Sequence, residues 1–334
     1  MGSNTTKETK PITSLTISQK SPNRKSEITR SHDLKNPGRF DHISSEANSI
    51  LKIKPFGGLS LQVNQLLNPN FSITHKLSMG SKLELPGYTI SSSYSAGNYL
   101  LQGNLNQMGL LQGGFFKKIF PGLLLTTNFQ IAPKIKDSQE NEAQTTVNPN
   151  NSLSFLSGAL EYFGKNSTSE IELASDPYLK VSYLRNIRPD ALIGFQYINS
   201  KGRYDPKRKS KHSHSVKVVG KISKPKEALS LILSKSPSFF CTQYVRKITP
   251  RIGFASEFVY SLVENQFQEK SLTSIALKYA MRQSSFQTRV SSSGDLTSSL
   301  EIKTSKSTAK FSTLINYPKE FYSIGFGLKM GADL

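Results

Sequence analysis

The chain ends Tyr322-Ser323-Ile324-Gly325-Phe326-Gly327-Leu328-Lys329-Met330-Gly331-Ala332-Asp333-Leu334. Side chains alternate across a strand with period two. Ser323, Gly325, Gly327 and Lys329 therefore share one face, and Ile324, Phe326, Leu328 and Met330 share the other. One face is small or charged; the other is bulky and apolar. Working back from this tail, the same period holds as far as Leu59, in short segments separated by Gly, Pro, Asn, Asp and Ser. Tyr88, Ile90, Tyr94 and Ala96 oppose Thr89, Ser91, Ser93 and Ser95, and Leu229, Leu231 and Leu233 oppose Ala228, Ser230, Ile232 and Ser234. The segments number 19, from LSLQVNQLL to YSIGFGLKM.

Several segments carry charge on the face opposite the bulky one: Glu172 between Ile171 and Leu173, Lys217 and Lys221, Glu257, Lys278, Glu301 with Lys303, and Lys329. A packed core rejects unpaired charge at a cost of several kcal/mol, whereas a water-filled lumen accepts it. Tyr and Phe recur near strand ends, as interfacial girdles do. These features predict an all-β fold, a 19-stranded transmembrane β-barrel with Glu172, Glu257, Lys278, Glu301 and Lys329 facing the lumen. An odd strand number makes the first and last strands pair in parallel on closure, with all other pairs antiparallel. A soluble β-rich binding protein is the competing reading, because the same alternation separates core from solvent in any antiparallel sheet.

The composition is compatible with the barrel. Of 334 residues, 43 are Lys or Arg and 23 are Asp or Glu, a formal charge of +20 that suits a polyanion, an anionic membrane surface or an acidic partner. Cys241 is the sole cysteine, which excludes an intrachain disulfide and a multi-cysteine metal site. The amino end lacks the apolar core of a signal peptide, and no window approaches the ~18 consecutive apolar residues of a membrane helix. A barrel strand shows lipid only alternate residues, so a polar average does not argue against a membrane protein.

Residues 1–40 are rich in Ser, Thr, Asn, Lys and Arg and poor in apolar side chains, which predicts a disordered basic arm. Over residues 41–56, Ile43, Ala47, Ile50 and Leu51 lie on one helical face ahead of Pro55 and Gly57-Gly58, predicting a short helix. Residues 57–334 form the barrel. No catalytic constellation, cofactor motif or metal site is expected. His212-Ser213-His214 lacks a nearby third ligand, and the absence of an enzyme follows.

Two stretches resemble a known family. Ser323, Gly325, Leu328 and Met330 sit on the polar, glycine and apolar positions of the carboxy-terminal sorting signal of mitochondrial β-barrels. LSLQVNQLLNPNFSITHKLSMGS, with Val63, Asn64, Phe71, His75 and Leu77 on matching positions, resembles the opening of the mitochondrial outer-membrane protein-import channels, the pore subunits of the TOM translocase. The resemblance extends over about residues 45–334, strongest at both ends. The voltage-dependent anion channel, a metabolite porin that also has nineteen strands, is the alternative.

The resemblance implies a channel of the mitochondrial outer membrane that translocates unfolded, presequence-bearing precursors from the cytosol to the intermembrane space. It implies partners: precursor proteins, the receptor and small single-span subunits of the translocase, membrane phospholipid, and a second barrel joined through a seam of the first, second and last strands, where Val63, Asn64, Phe71, His75 and Leu77 fall. Nucleic acid is not among them. The short helix would lie in the pore and both termini in the intermembrane space. We expect the connection between strands six and seven on that same side, where Asp137, Glu140 and Glu142 would form an acidic patch for presequences. Between strands ten and eleven, Lys201, Arg203, Lys207, Arg208, Lys209 and Lys211 would meet acidic partners or lipid headgroups. Met1-Gly2-Ser3-Asn4-Thr5-Thr6 matches the myristoylation pattern at Gly2.

Overall fold

The computed structural model describes residues 36–80, 86–133, 155–175, 178–201, 212–262 and 270–331. Met1–Asp33 lies outside the described residues, and the barrel belongs to the unit Leu34–Leu334. Helix α1 is Ser45–Leu51, preceded by a 3-10 turn, Phe40–His42. The strands are β1 Gly58–Asn68, β2 Phe71–Met79, β3 Gly87–Ala96, β4 Tyr99–Asn106, β5 Leu111–Phe120, β6 Leu123–Ile131 and β7 Phe155–Phe163. They continue as β8 Ser167–Ala174, β9 Tyr178–Arg188, β10 Ala191–Lys201, β11 His212–Ser223, β12 Glu227–Lys235 and β13 Phe239–Lys247. The last six are β14 Ile252–Ser261, β15 Ser271–Ala280, β16 Ser284–Ser291, β17 Asp295–Lys303, β18 Ser307–Asn316 and β19 Phe321–Met330.

Each strand pairs antiparallel with the next, and β1 pairs in parallel with β19, from Gly58 opposite Gly325 to Val63 opposite Met330. One 19-stranded sheet thus closes on itself. Closure leaves no sheet edge, which is the condition for a sheet to stand in hydrocarbon, where an unpaired N–H or C=O costs several kcal/mol. The strand lengths match the ~9–11 residues needed to cross a bilayer at a tilt. No helix among the described residues is long and apolar enough to cross a membrane.

The outward face is apolar and exposed: Leu160, Ile171, Leu173 and Leu231 stand open, and Ile324 is 75% accessible. Side chains so exposed around a closed wall are lipid-facing. Tyr88, Tyr162, Tyr260, Tyr279 and Tyr322, each second from a strand end, are also exposed and put their hydroxyls at headgroup depth. The inward face is small or polar, with Ser182, Gln196, Ser230, Gln243, Ser274 and Ser312 almost fully buried.

Three expectations need correction. The segment 41–56 is not one helix: α1 stops at Leu51, and 52–57 runs irregularly into β1. Pro55 is the cause, since it has no N–H to offer the Leu51 carbonyl and its ring would clash there. The arm does not extend to residue 40. Asn36 Nδ2 donates to the carbonyls of Gly164 and Ser167, and Phe40 is buried at 8% exposure, so 36–40 are fixed to the wall. Third, strand parity separates the β6–β7 connection from the carboxy terminus. Odd strands run the same way as β19, so β6 ends at Ile131 at the barrel end opposite Met330. Asp137, Glu140 and Glu142 themselves lie outside the described residues.

The apolar face predicted for the helix is the face that packs. Ala47, Ile50 and Leu51 form one cluster with Ala228, Val245, Ala255 and Ala276 of β12 to β15. Small wall residues let the helix come close, and Ile50 Cδ1 lies 2.9 Å from where a Cβ on Gly253 would sit. Ile50→Ala should weaken docking by about 2 kcal/mol. The expected readout is faster amide hydrogen exchange across 45–51, with barrel strands unchanged.

Candidate functional site

The site is the lumen and the segment that straps its wall. From Asn36 the chain runs around the inside of the barrel, touching successive strands. Asn36 holds the β7–β8 turn, with its Oδ1 accepting from Thr168 Oγ1 at 3.2 Å. Arg39 Nε meets Glu161 Oε2 of β7 at 2.6 Å. Phe40 and Ile43 pack on Leu184 of β9 and Val219 of β11. Glu46 pairs with Lys221 of β11 at 3.6 Å. Within α1, the Ser49 carbonyl accepts from Gln287 of β16, and beyond the helix the Phe56 N–H donates to Ser312 Oγ of β18 at 3.3 Å. The strap thus crosses from β7 round to the β19 seam.

Its electrostatic anchor is Lys180 of β9. The ammonium lies 3.0 Å from Asp41 Oδ2 on the strap, 2.9 Å from Glu170 Oε1 and 3.6 Å from Glu172 Oε2, and Ser182 Oγ donates to Glu170 Oε2 at 3.0 Å. Lys180 and Glu170 side chains are only 9% and 11% exposed. The buried core of this network is the Lys180–Glu170 pair within the wall, with Glu172 partly exposed and Asp41, its strap member, 61% exposed, so that removing Lys180 leaves Glu170 charged and unpaired.

The lumen-assigned residues share the inner face with the strap. Glu172 belongs to the Lys180 network. Glu257 Oε1 accepts from Gln243 Nε2 at 2.7 Å and lines a cavity of about 390 Å³ beside Phe40, Asp41 and Asn48. Lys278 lies opposite Gly253, beneath Ile50. Glu301 and Lys329 line a second cavity beside Phe56. The residues matching the family's opening divide between faces. Asn64 turns inward and accepts from Gln62 and Thr74 at 3.0 and 3.1 Å. His75 turns outward, its Nδ1 2.7 Å from the Tyr88 hydroxyl and its ring stacked on that of Tyr88. Val63 sits between Met330 and His75, Leu77 opposite Leu61, and Phe71 tilts against Tyr94. In the tail, Ser323 and Gly325 are buried, Gly325 against Phe56 of the strap, while Leu328 and Met330 face out.

Sequence reasoning missed Arg39, Asp41, Glu161, Glu170 and Lys180 as a unit. A signal existed: in SEIELA and YLKVSYL a charge interrupts an apolar run at the inward parity. What the sequence did not contain was their convergence, which depends on the strap. Gly2 lies outside the described residues, as do Arg203, Lys207, Arg208, Lys209 and Lys211, and nothing is described of the Lys201 side chain.

Comparison with known proteins gives the same architecture a lineage. The chain is 21% identical over 312 residues to a probable mitochondrial import receptor subunit TOM40-2 of Arabidopsis thaliana, covering 87% of this chain and 89% of that one. It is 23% identical over 288 residues to the mitochondrial import receptor subunit tom40 of Neurospora crassa, covering 80% and 74%. Among solved structures, an engineered Rh. blastica porin aligns with a TM-score of 0.45 at 8% identity, over 73% of this chain and 91% of that one. The model of the eukaryotic porins matches residues 36–327, from the first anchored residue of the strap to the glycine over Phe56 in the last strand. The chain belongs to the eukaryotic porin family.

Proposed function

We propose that this chain is the protein-conducting channel of the mitochondrial outer membrane, passing unfolded presequence-bearing precursors from the cytosol to the intermembrane space. The observation that carries the reading is the match, over 80% or more of this chain, to two proteins named as mitochondrial import receptor subunits. The physics is compatible with it. Barrels of 16 to 18 strands already enclose an aqueous channel, and nineteen enclose a wider one. An inner face of hydroxyls, amides and scattered charge offers an extended polypeptide many weak contacts and no tight one, which suits conduction. The chemistry is passage, with no bond made or broken.

The reading includes assembly with other translocase subunits and lipid, barrel pairing through the β19–β1–β2 seam, and termini in the intermembrane space. Asn36 at the β7–β8 turn and Met330 at the end of β19 occupy the same end of the barrel, which supports a shared side for the termini. A metabolite porin is the second reading, favoured by the breadth of the family match. Single-channel recording on reconstituted full-length chain separates them. An Arg-rich presequence peptide should block the current in discrete, voltage-dependent events, and a scrambled acidic peptide should not. Equal indifference to both peptides would leave the porin.

A further inference from the structure

The seam carries a concentration of positive charge, one member of which, Lys310, stands 5.9 Å from the centre of the Phe56 ring of the strap. On one rung of the inner face, Lys303 of β17, Thr308 of β18, Lys329 of β19, Gln62 of β1 and Lys76 of β2 lie side by side in register. Adjacent strands are about 4.8 Å apart, so lysines on alternate strands stand roughly 10 Å apart. One rung deeper, Lys310 of β18 faces Gly327 and Glu301, and Lys54 arrives from the strap.

These five lysines come from five separate elements and surround a cavity of about 470 Å³, with Glu301 the single carboxylate in its lining. Glu301 reaches Lys303 at 3.4 Å. The floor is small: Ser60 and Gly327, where a Cβ would already lie 3.1 Å from the Phe56 ring. Thr308 and Gln62 add neutral hydrogen-bonding groups between the lysines. Like charges brought together repel, and low-dielectric walls focus their field into the lumen, so such a cavity draws in counter-anions in proportion to their charge.

We propose that the seam cavity binds a multivalent phosphate anion, either an inorganic phosphate chain or the phosphate tail of a nucleotide. Lys303, Lys329 and Lys76 take the outer oxygens, and Lys310 and Lys54 take those directed at the floor. Ammonium groups are point-charge donors that follow a flexible phosphate chain without demanding one geometry. The wall lysines, Gln62 and Thr308 all stand on the lumen face, so the ligand comes from the aqueous phase and not from a lipid headgroup. The proposal depends on the barrel and not on the import reading.

The test is the reversal potential of the full-length chain in a planar bilayer under a KCl gradient, titrated with tripolyphosphate at constant ionic strength. A saturable shift toward cation preference is expected, with sulfate of equal ionic strength giving little. Replacing Lys76, Lys303 and Lys329 together by Gln should raise the half-saturating concentration about tenfold or more. Lys226→Gln, in the exposed β11–β12 turn, should leave it unchanged. If the triple variant does not insert, Lys303→Gln alone should raise it about threefold. Magnesium-free ATP identifies the source: a half-saturation like that of tripolyphosphate assigns the phosphate chain, and one tenfold lower assigns a nucleotide. A shift matched by sulfate, or a half-saturation unmoved by the lysine replacements, overturns the proposal.

Discussion

Gly325→Val should give a chain that is made but does not close, with about a hundredfold fewer folded barrels even when purified protein is refolded into lipid vesicles. A Cβ at Gly325 would strike the Phe56 carbonyl and come within 2.7 Å of the Phe56 ring. Opposite it in the parallel pair stands Gly58, at φ 73°, where a Cβ would strike the Met79 carbonyl. Neither obstacle is the free end of a flexible side chain, so the seam itself must shift. Overpacking typically costs 1–3 kcal/mol, and the upper end, about 3 kcal/mol, corresponds to the expected hundredfold loss.

Two controls locate the effect. At Gly158 and Gly220 nothing lies within 4 Å of a new Cβ, so Gly158→Ala and Gly220→Ala should fold as the parent does. Vesicle refolding employs no cellular machinery, so it isolates the steric role of Gly325 from its place in the sorting signal. Gly325→Asp with Leu328→Asp, by contrast, should abolish insertion in mitochondria. Band migration on a gel run without boiling reports closure in both settings; normal migration of Gly325→Val in vesicles would remove the steric argument.

Lys180→Met should loosen the strap. The substitution keeps the side-chain volume but leaves Asp41, Glu170 and Glu172 facing one another without their cation. Losing the cation of the buried Lys180–Glu170 pair costs the wall about 3–5 kcal/mol, while the strap itself loses the bridge to Asp41, whose side chain is 61% exposed and which contributes about 1 kcal/mol or less. We expect amide hydrogen exchange over 36–53 to accelerate by about fivefold, and open-channel current noise to rise as the segment moves in the lumen. Lys180→Met with Glu170→Gln should recover part of the loss, because one of the orphaned charges has gone. Noise and exchange identical to those of the parent would show that the apolar contacts suffice to hold the strap.

Much of this architecture was legible in the chain, and the reason is periodicity. In GFGLKM and in SLILSK the apolar positions alternate so regularly that one register serves both lipid and lumen, and a slip of one residue would reverse every side chain. The odd strand number then dictated the parallel β1–β19 pair. Local helix logic found the packed face of α1 through Ala47, Ile50 and Leu51, yet overran its end because Pro55 acts on the carbonyl four residues upstream. The anchors were beyond reach for a different cause. Lys180 and Asp41 are 139 residues apart, and no local pattern announces which wall strand a passing segment will touch. The end of the barrel that hosts a connection was readable in principle from strand parity, without any resemblance.

The strap leads straight into β1, and Phe56 lies under Gly325 and Gly327 of the strand that β1 must meet. Phe56 is thus trapped at the join: it must already lie inside when the first and last strands meet, and from that fixed point the rest of the lining can be wound onto the wall from one end.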